Sequence, residues 1–241
     1  MVVINEACVG CGLCVNYCPV GAISRPTTGQ RAVVQQDLCV ECGTCFRSRV
    51  CPVDAIVYPE LAYPRILRRY FSDPTTTKVT GVPGRGTEEI KTNDVTNRFT
   101  VGQVGFCLEL GRPGVGTTLL DVEKVTRVLS QYPIEYEERN PTNALLADAA
   151  TGALKPEVLG ERVLSLILEF TVSESLAPPL LKALQHVSTS LDTVFSLGLA
   201  GRILEEGGIP VKEMLDRLQV AYRPNAKINL GLGRAAEAPS R

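Results

Sequence analysis

The sequence predicts an α+β chain in two unlike parts, a small N-terminal module over residues 1–58 and a βαββαβ domain over 101–241, joined by a linker over 59–100. Three observations lead there. Eight of the nine cysteines lie in the first 51 residues, at 8, 11, 14, 18, 39, 42, 45 and 51, and the ninth is Cys107. Their pattern occurs twice, as CVGCGLCVNYCP from Cys8 to Pro19 and as CVECGTCFRSRVCP from Cys39 to Pro52. From Val101 onward, apolar residues recur by turns at strand and helix periods.

Composition narrows the function classes. Hydrophobic residues make up 44% and charged residues 21%, an ordinary globular balance that excludes a disordered chain. With 25 Lys and Arg against 26 Asp and Glu, no global field attracts a nucleic-acid backbone. Trp is absent and aromatics are 5%, which also argues against an RNA-stacking surface. The most apolar stretch, Arg162 to Phe170, is about half as long as a membrane span needs and carries charges, so no membrane insertion is expected. MVVINEAC lacks the basic and apolar regions of a signal peptide, and the expected location is cytoplasmic.

The first motif has the spacing C-x2-C-x2-C-x3-C-P. A disulfide framework fits poorly with a reduced compartment. A zinc ribbon uses two CxxC pairs, whereas each group here is a triplet followed by a fourth Cys and a Pro. Three thiolates two residues apart on a tight loop can wrap one face of an iron–sulfur cubane. Gly10 and Gly12 let the backbone approach and turn N–H groups toward sulfide, and Pro19 leads the chain away. The tails also match, CPVGAI at Cys18–Ile23 and CPVDAI at Cys51–Ile56, so the module is an internal duplication.

On these motifs, residues 1–58 resemble the bacterial two-cluster 2[4Fe-4S] ferredoxin family. The resemblance implies two [4Fe-4S] clusters with exchanged ligation: Cys8, Cys11, Cys14 and Cys51 for one, and Cys39, Cys42, Cys45 and Cys18 for the other. One departure is clear. The second motif has five residues, Phe46 to Val50, between its third and fourth Cys, where the first has three. Cys51 is still expected to be a ligand, because Pro52 and the CPVDAI tail follow in register. The bulge carries Arg47 and Arg49, either as a docking surface or as a solvated loop. Residues 1–58 have four Arg (25, 31, 47, 49) against Glu6, Asp37, Glu41 and Asp54, a net charge of zero. Lack of a steering charge favours a fixed subunit over a diffusing carrier.

The linker is punctuated by Pro59, Pro64, Pro74 and Pro83. Its basic stretch Arg65 to Phe71 reads as a solvated or inter-subunit face, and the linker as a segment draped over a partner. In the C-terminal part, Val104 to Leu110 is strand-like. Leu119 to Tyr132 is helical, through Leu119, Val122, Val125, Val128 and Leu129. Ile134 to Glu138 alternates as a strand, and Arg162 to Val172 is a long strand. Pro178 to Leu199 and Ile209 to Leu218 read as helices, and Val220 to Leu232 ends in a last strand, KINLGL. This order is the split βαβ, ferredoxin-like arrangement, loosely similar to small ligand-sensing domains of the ACT type.

Other candidates carry less. GRPGVGTT at Gly111–Thr118 has the context of a phosphate loop, but Thr117 stands where the Walker lysine belongs, which excludes an NTPase. A tight strand-to-helix turn and an anion seat assisted by Arg112 remain open. GRGTEE at Gly84–Glu89 is similarly ambiguous. His186, the single histidine, reads as structural, and Cys107 as a small core residue.

GRGTEEIKTNDVTNRF and GFCLELGRPGVG resemble a segment of anaerobic iron–sulfur flavoproteins of the 6-hydroxynicotinate reductase-like kind. Those proteins are longer, and the part expected to hold flavin is absent here, which implies chemistry on a separate polypeptide. The expectation is a non-catalytic iron–sulfur electron-transfer subunit of an anaerobic oxidoreductase. It would be hetero-oligomeric, serving a catalytic subunit with flavin or metal. The alternatives are a regulatory iron–sulfur protein whose C-terminal domain binds a small acid, and a component of a 6-hydroxynicotinate reductase-like enzyme.

Overall fold

The computed structural model describes residues 1–24, 27, 30–76, 99–112 and 114–223, and the architecture is α+β. The N-terminal module has four two-residue strands, β1 (Val3–Ile4), β2 (Ile23–Ser24), β3 (Val33–Val34) and β4 (Ile56–Val57), with a single-turn helix α1 (Thr44–Arg47). β1 pairs antiparallel with β4, Val3 opposite Val57, and β2 with β3, Ile23 opposite Val34. Each pair joins the strand entering one cysteine motif to the strand leaving the other. The fourth cysteine of each motif directly precedes a leaving strand, so the pairing carries it toward the other motif's loop. Val2, Ala22, Ile23, Ala32, Val34 and Ile56 form the small core between the loops.

The duplication extends to the backbone. Gly10 and Glu41, Gly12 and Gly43, and Gly21 and Asp54 occupy equivalent places, and all six have positive φ, from 49° to 73°. Left-handed backbone is costly for residues with a Cβ, so Glu41 and Asp54 show that the loop geometry overrides local preference.

The stretch expected as a solvated or inter-subunit face is instead an internal tie. Helix α2 (Ile66–Ser72) places Leu67, Tyr70 and Phe71 on one side, against the core of the C-terminal part. Arg65, Arg68 and Arg69, spaced i, i+3, i+4, turn to the cysteine module, Arg65 and Arg68 by hydrogen bonds and Arg69 over the Tyr58 ring. All three guanidiniums are bonded within the chain, and Leu164 N–H donates to Ser72 Oγ at 2.8 Å. Pro83 and GRGTEE lie outside the described residues.

The C-terminal part is built on β5 (Gln103–Leu110), β6 (Thr117–Thr118), α3 (Leu119–Leu129) and β7 (Glu135–Tyr136). There follow β8 (Leu146–Asp148), β9 (Ala153–Leu154), β10 (Arg162–Val163), β11 (Leu166–Ser173), α4 (Ala177–Ser188), β12 (Phe195–Ala200) and α5 (Pro210–Arg217). Four strands form one antiparallel sheet in the order β12-β5-β11-β7. Val104, Phe106, Leu108 and Leu110 of β5 and Leu166, Leu168, Phe170 and Val172 of β11 share one face. Against it pack Leu119, Val122, Val125 and Leu129 of α3 and Leu180, Leu181, Leu184 and Val187 of α4. The Phe106 and Phe170 rings stack at 5.2 Å.

Two expectations change here. The helix begun at Pro178 ends at Ser188, and the chain returns as strand β12. The apolar period shifts from helical to alternating after Leu191, through Phe195, Leu197 and Leu199, and Gly198 disfavours helix. β12 therefore holds the edge position beside β5, while KINLGL lies outside the described residues. The long strand from Arg162 is interrupted between Val163 and Leu166; β10 leaves the sheet to pair with β6. Among the described residues, no helix is long and apolar enough to cross a membrane.

Asp73, just after α2, accepts from Arg47, from Tyr58 OH (2.8 Å), and from Thr75 N–H (2.9 Å) and Oγ (2.7 Å). Burial pushes its carboxyl up, but these donors outweigh burial and hold it below the usual carboxylate range. Its stabilisation is therefore present above the unfolded value of about 3.9 and is lost as pH falls below it. Asp73→Asn should cost about 2–3 kcal/mol at neutral pH, less than a fully buried pair because Arg47 is a third exposed. Urea midpoints between pH 6 and 3 should fall less steeply in the variant than in the parent protein.

Candidate metal centre

The strand pairing gathers the eight N-terminal cysteines into two groups. Cys8, Cys11, Cys14 and Cys51 line one cavity, with Ile4, Ala32 and Ile56 as apolar wall. Cys18, Cys39, Cys42 and Cys45 line the other, with Val2, Ala22, Ile23 and Val34. The cavities enclose about 320 and 340 Å³ of atom-free space, partly open to solvent, a match in size that follows from the duplication. The thiols are spread around cavity walls: among the described residues, no three His, Cys, Asp or Glu side chains gather as a single-ion site.

Backbone amides meet the sulfurs at equivalent positions. Ala22 N–H donates to Cys18 Sγ at 3.1 Å, and Ala55 N–H to Cys51 Sγ at 3.2 Å. Such bonds orient the sulfurs and set an N–H dipole against each. Three of the buried thiols, Cys14, Cys39 and Cys45, resist ionisation. Burial pushes Cys45 up to about 12, helped by Cys42, Cys39 and Cys18, and pushes Cys39 up to about 11. Cys14 is raised too, by burial and then by Cys8, Cys11 and Cys51. An all-sulfur donor set in an apolar pocket suits a cationic iron–sulfur core, whose charge offsets the desolvation of the thiolates.

The two sites differ in their cover. Val9 is 64% exposed and the equivalent Val40 is 1% exposed; Cys11 is exposed and Cys42 buried. The second site lies beneath α2 and Tyr58. Arg68 Nη1 donates to the carbonyl of Cys39 at 2.8 Å, and Arg47 Nη2 to that of Cys42 at 2.7 Å. Arg65 binds Glu41, which accepts Val2 N–H. The single Tyr58 O–H is shared between Asp73 and Glu41 O, each at 2.8 Å, with Arg69 3.7 Å above the ring. Burial and the Asp73 carboxylate push the Tyr58 phenol up, so it remains a donor.

These arginines are what sequence reading missed. The spacing of Arg65, Arg68 and Arg69 marks one helical face, but nothing local says which body that face meets. The two extra residues after Cys45 form a turn in which Arg49 has φ 49°. Arg47 is tied to Asp73 and the Cys42 carbonyl, and both Arg47 and Arg49 are exposed.

The Gly111–Thr118 loop is a strand-to-helix turn. The start of α3 is already filled by an acid: Asp121 N–H donates to Thr118 Oγ, and the Asp121 carboxylate meets Thr118 and Lys124. Arg112 pairs with Glu109 at 2.8 Å, so the anion seat is withdrawn. Cys107 is buried in β5, as expected of a core residue, and His186 is exposed on α4.

A family model for a 4Fe-4S binding domain matches residues 1–24, which contain the whole first motif. The N-terminal segment thus carries a 4Fe-4S binding domain, which implies a cluster and an iron–sulfur electron-transfer role.

A Cβ at Gly10 would stand 2.6 Å from the Gln30 carbonyl oxygen, in left-handed backbone; at Gly21 it would meet only open space. Gly10→Ala should therefore lower stability by more than the roughly 1–2 kcal/mol of left-handed strain and reduce iron content. Gly21→Ala should cost about that strain alone and keep its iron. Denaturant midpoints and iron assays on both variants check the contrast.

Proposed function

We propose that this chain holds two [4Fe-4S] clusters with exchanged ligation and serves as a non-catalytic electron-transfer subunit. Cys8, Cys11, Cys14 and Cys51 would hold one cluster, and Cys39, Cys42, Cys45 and Cys18 the other. One observation carries this reading: each cavity takes three thiols from one motif and the fourth from the other. When bound, the clusters supply one-electron transfer at low potential. The chain's own residues hold the sulfurs, donate N–H to them at Cys18 and Cys51, and exclude water with Ile23, Val34 and Ile56.

Electrons would pass between the chain and its partner at the exposed Cys11 side. The C-terminal part, whose order strand–helix–strand–strand–helix–strand supports a ferredoxin-like βαββαβ domain, would seat the module on a catalytic subunit with flavin or metal. The 6-hydroxynicotinate reductase-like resemblance supports an anaerobic flavoprotein complex as the setting.

Anaerobically purified protein should contain about eight iron and eight sulfide per chain, as two cubanes require. Cys18→Ala should degrade the spectroscopic signal of the Cys39–Cys42–Cys45 site and spare the other, and Cys51→Ala should do the opposite. Four iron per chain, or damage confined to the substituted residue's own motif, would overturn the reading. Cys107→Ala should leave iron content unchanged.

A further inference from the structure

We propose that Arg68 is a positioning residue through which the C-terminal domain, by way of Glu161, sets the reduction potential of the site formed by Cys39, Cys42, Cys45 and Cys18. The inference rests on the two-cluster reading and adds a control that the cysteine pattern does not contain.

Arg68 is 6% exposed. Its Nη1 donates to the carbonyls of Gln36 (2.9 Å) and Cys39 (2.8 Å), with Asp37 at 3.4 Å. Its Nε binds the Glu161 carboxylate. The guanidinium therefore stands between the ligand loop and its own counter-ion. Glu161 belongs to the other body: it precedes β10, its N–H donates to Val158 O, and its carbonyl accepts Leu119 N–H at 2.9 Å, at the start of α3. Its backbone is held by the C-terminal core, and its carboxylate reaches across to Arg68.

Reduction adds a negative charge to a cluster. A cation held nearer to that charge than its anion favours the reduced form, and removing the anion strengthens the effect. With side-chain exposures of 7% and 13%, solvent screens this pair weakly. The first site has no such cover, as the exposure of Val9 and Cys11 shows. Net charge and hydrogen bonding around the sulfurs are among the protein's means of tuning such potentials. The pair makes opposite predictions for its two members, which a merely structural staple does not.

The test is a redox titration of the full-length anaerobic protein followed by electron paramagnetic resonance, with Cys42→Ser used to identify the second site's signal. Arg68→Gln should disfavour reduction of that site about tenfold, a fall of 59 mV for one electron, and move the first site much less. Glu161→Gln should shift the same signal upward, and Arg68→Lys, which keeps the charge, should stay near the parent value. Shifts of equal sign in Arg68→Gln and Glu161→Gln, equal shifts at both sites, or no shift would overturn the proposal. If Arg68→Gln loses iron, Glu161→Gln decides alone, since a lost staple gives no upward shift. Four iron in the parent chain, with one signal abolished by Cys42→Ser, would overturn the two-cluster reading while the Arg68 test is read on that signal. One signal that survives Cys42→Ser would overturn both.

Discussion

Thiols suited to bind iron must be both sheltered and ionised, and in the N-terminal module Cys14, Cys39, Cys42 and Cys45 are buried in apolar surroundings. Burial alone drives Cys39 and Cys45 away from the thiolate form, and each added sulfur nearby makes ionisation harder. Amide N–H groups point at the sulfurs of Cys18 and Cys51, and a cationic iron–sulfur core would offset the cost of burying thiolates. The short strands matter for the same reason. By pairing the entry to one motif with the exit from the other, they close each pocket with a thiol from a distant part of the chain.

A duplicated module would by itself present two similar faces. Helix α2 breaks that symmetry. Its apolar side belongs to the C-terminal core through Leu67, Tyr70 and Phe71, and its arginines belong to the second cysteine site. Three of the arginines around that site have an acid: partly exposed Arg47 with Asp73, half-buried Arg65 with Glu41, and buried Arg68 with Glu161. Pairing and hydrogen bonding together make such burial tolerable. Two of those acids, Asp73 and Glu161, come from outside the module, and Glu161 belongs to the C-terminal part, so the charge balance around the second site includes a group that the C-terminal part supplies.

That part is an antiparallel sheet with two helices on one face, and its details serve stiffness. Thr126 Oγ donates to Gly152 O at 2.6 Å, where a Cβ on Gly152 would stand 2.2 Å from Thr126 O, so the β8–β9 hairpin lies directly on α3. Thr193 Oγ donates to Gly116 O at 2.7 Å, tying the strand-to-helix turn to the approach to β12. The seat of Glu161 lies between these fixed elements, beside α3 and β10.

The cysteine spacing was legible at once, because three thiolates two residues apart are a local geometric requirement. So was the alternation of β5 and the helical face of α3, since burial on one side imposes a period that a linear reading detects. The end of α4 was harder to read: Leu191 and Val194 continue a helical pattern into the alternating Phe195, Leu197 and Leu199, and the edge of β5 takes Phe195–Ala200 as a strand. The fate of Arg47, Arg65, Arg68 and Arg69 was not legible. An arginine-rich stretch reads as solvated because an isolated charge is expensive to bury. The partners that make burial possible here, Glu41, Asp73, Glu161 and the carbonyls of Cys39 and Cys42, converge only in three dimensions. The sequence by itself determined which residues are suited to bind iron and sulfur. The tertiary structure decided which thiols share a pocket and which pocket lies beneath charged side chains, because both depend on contacts between segments far apart in the chain.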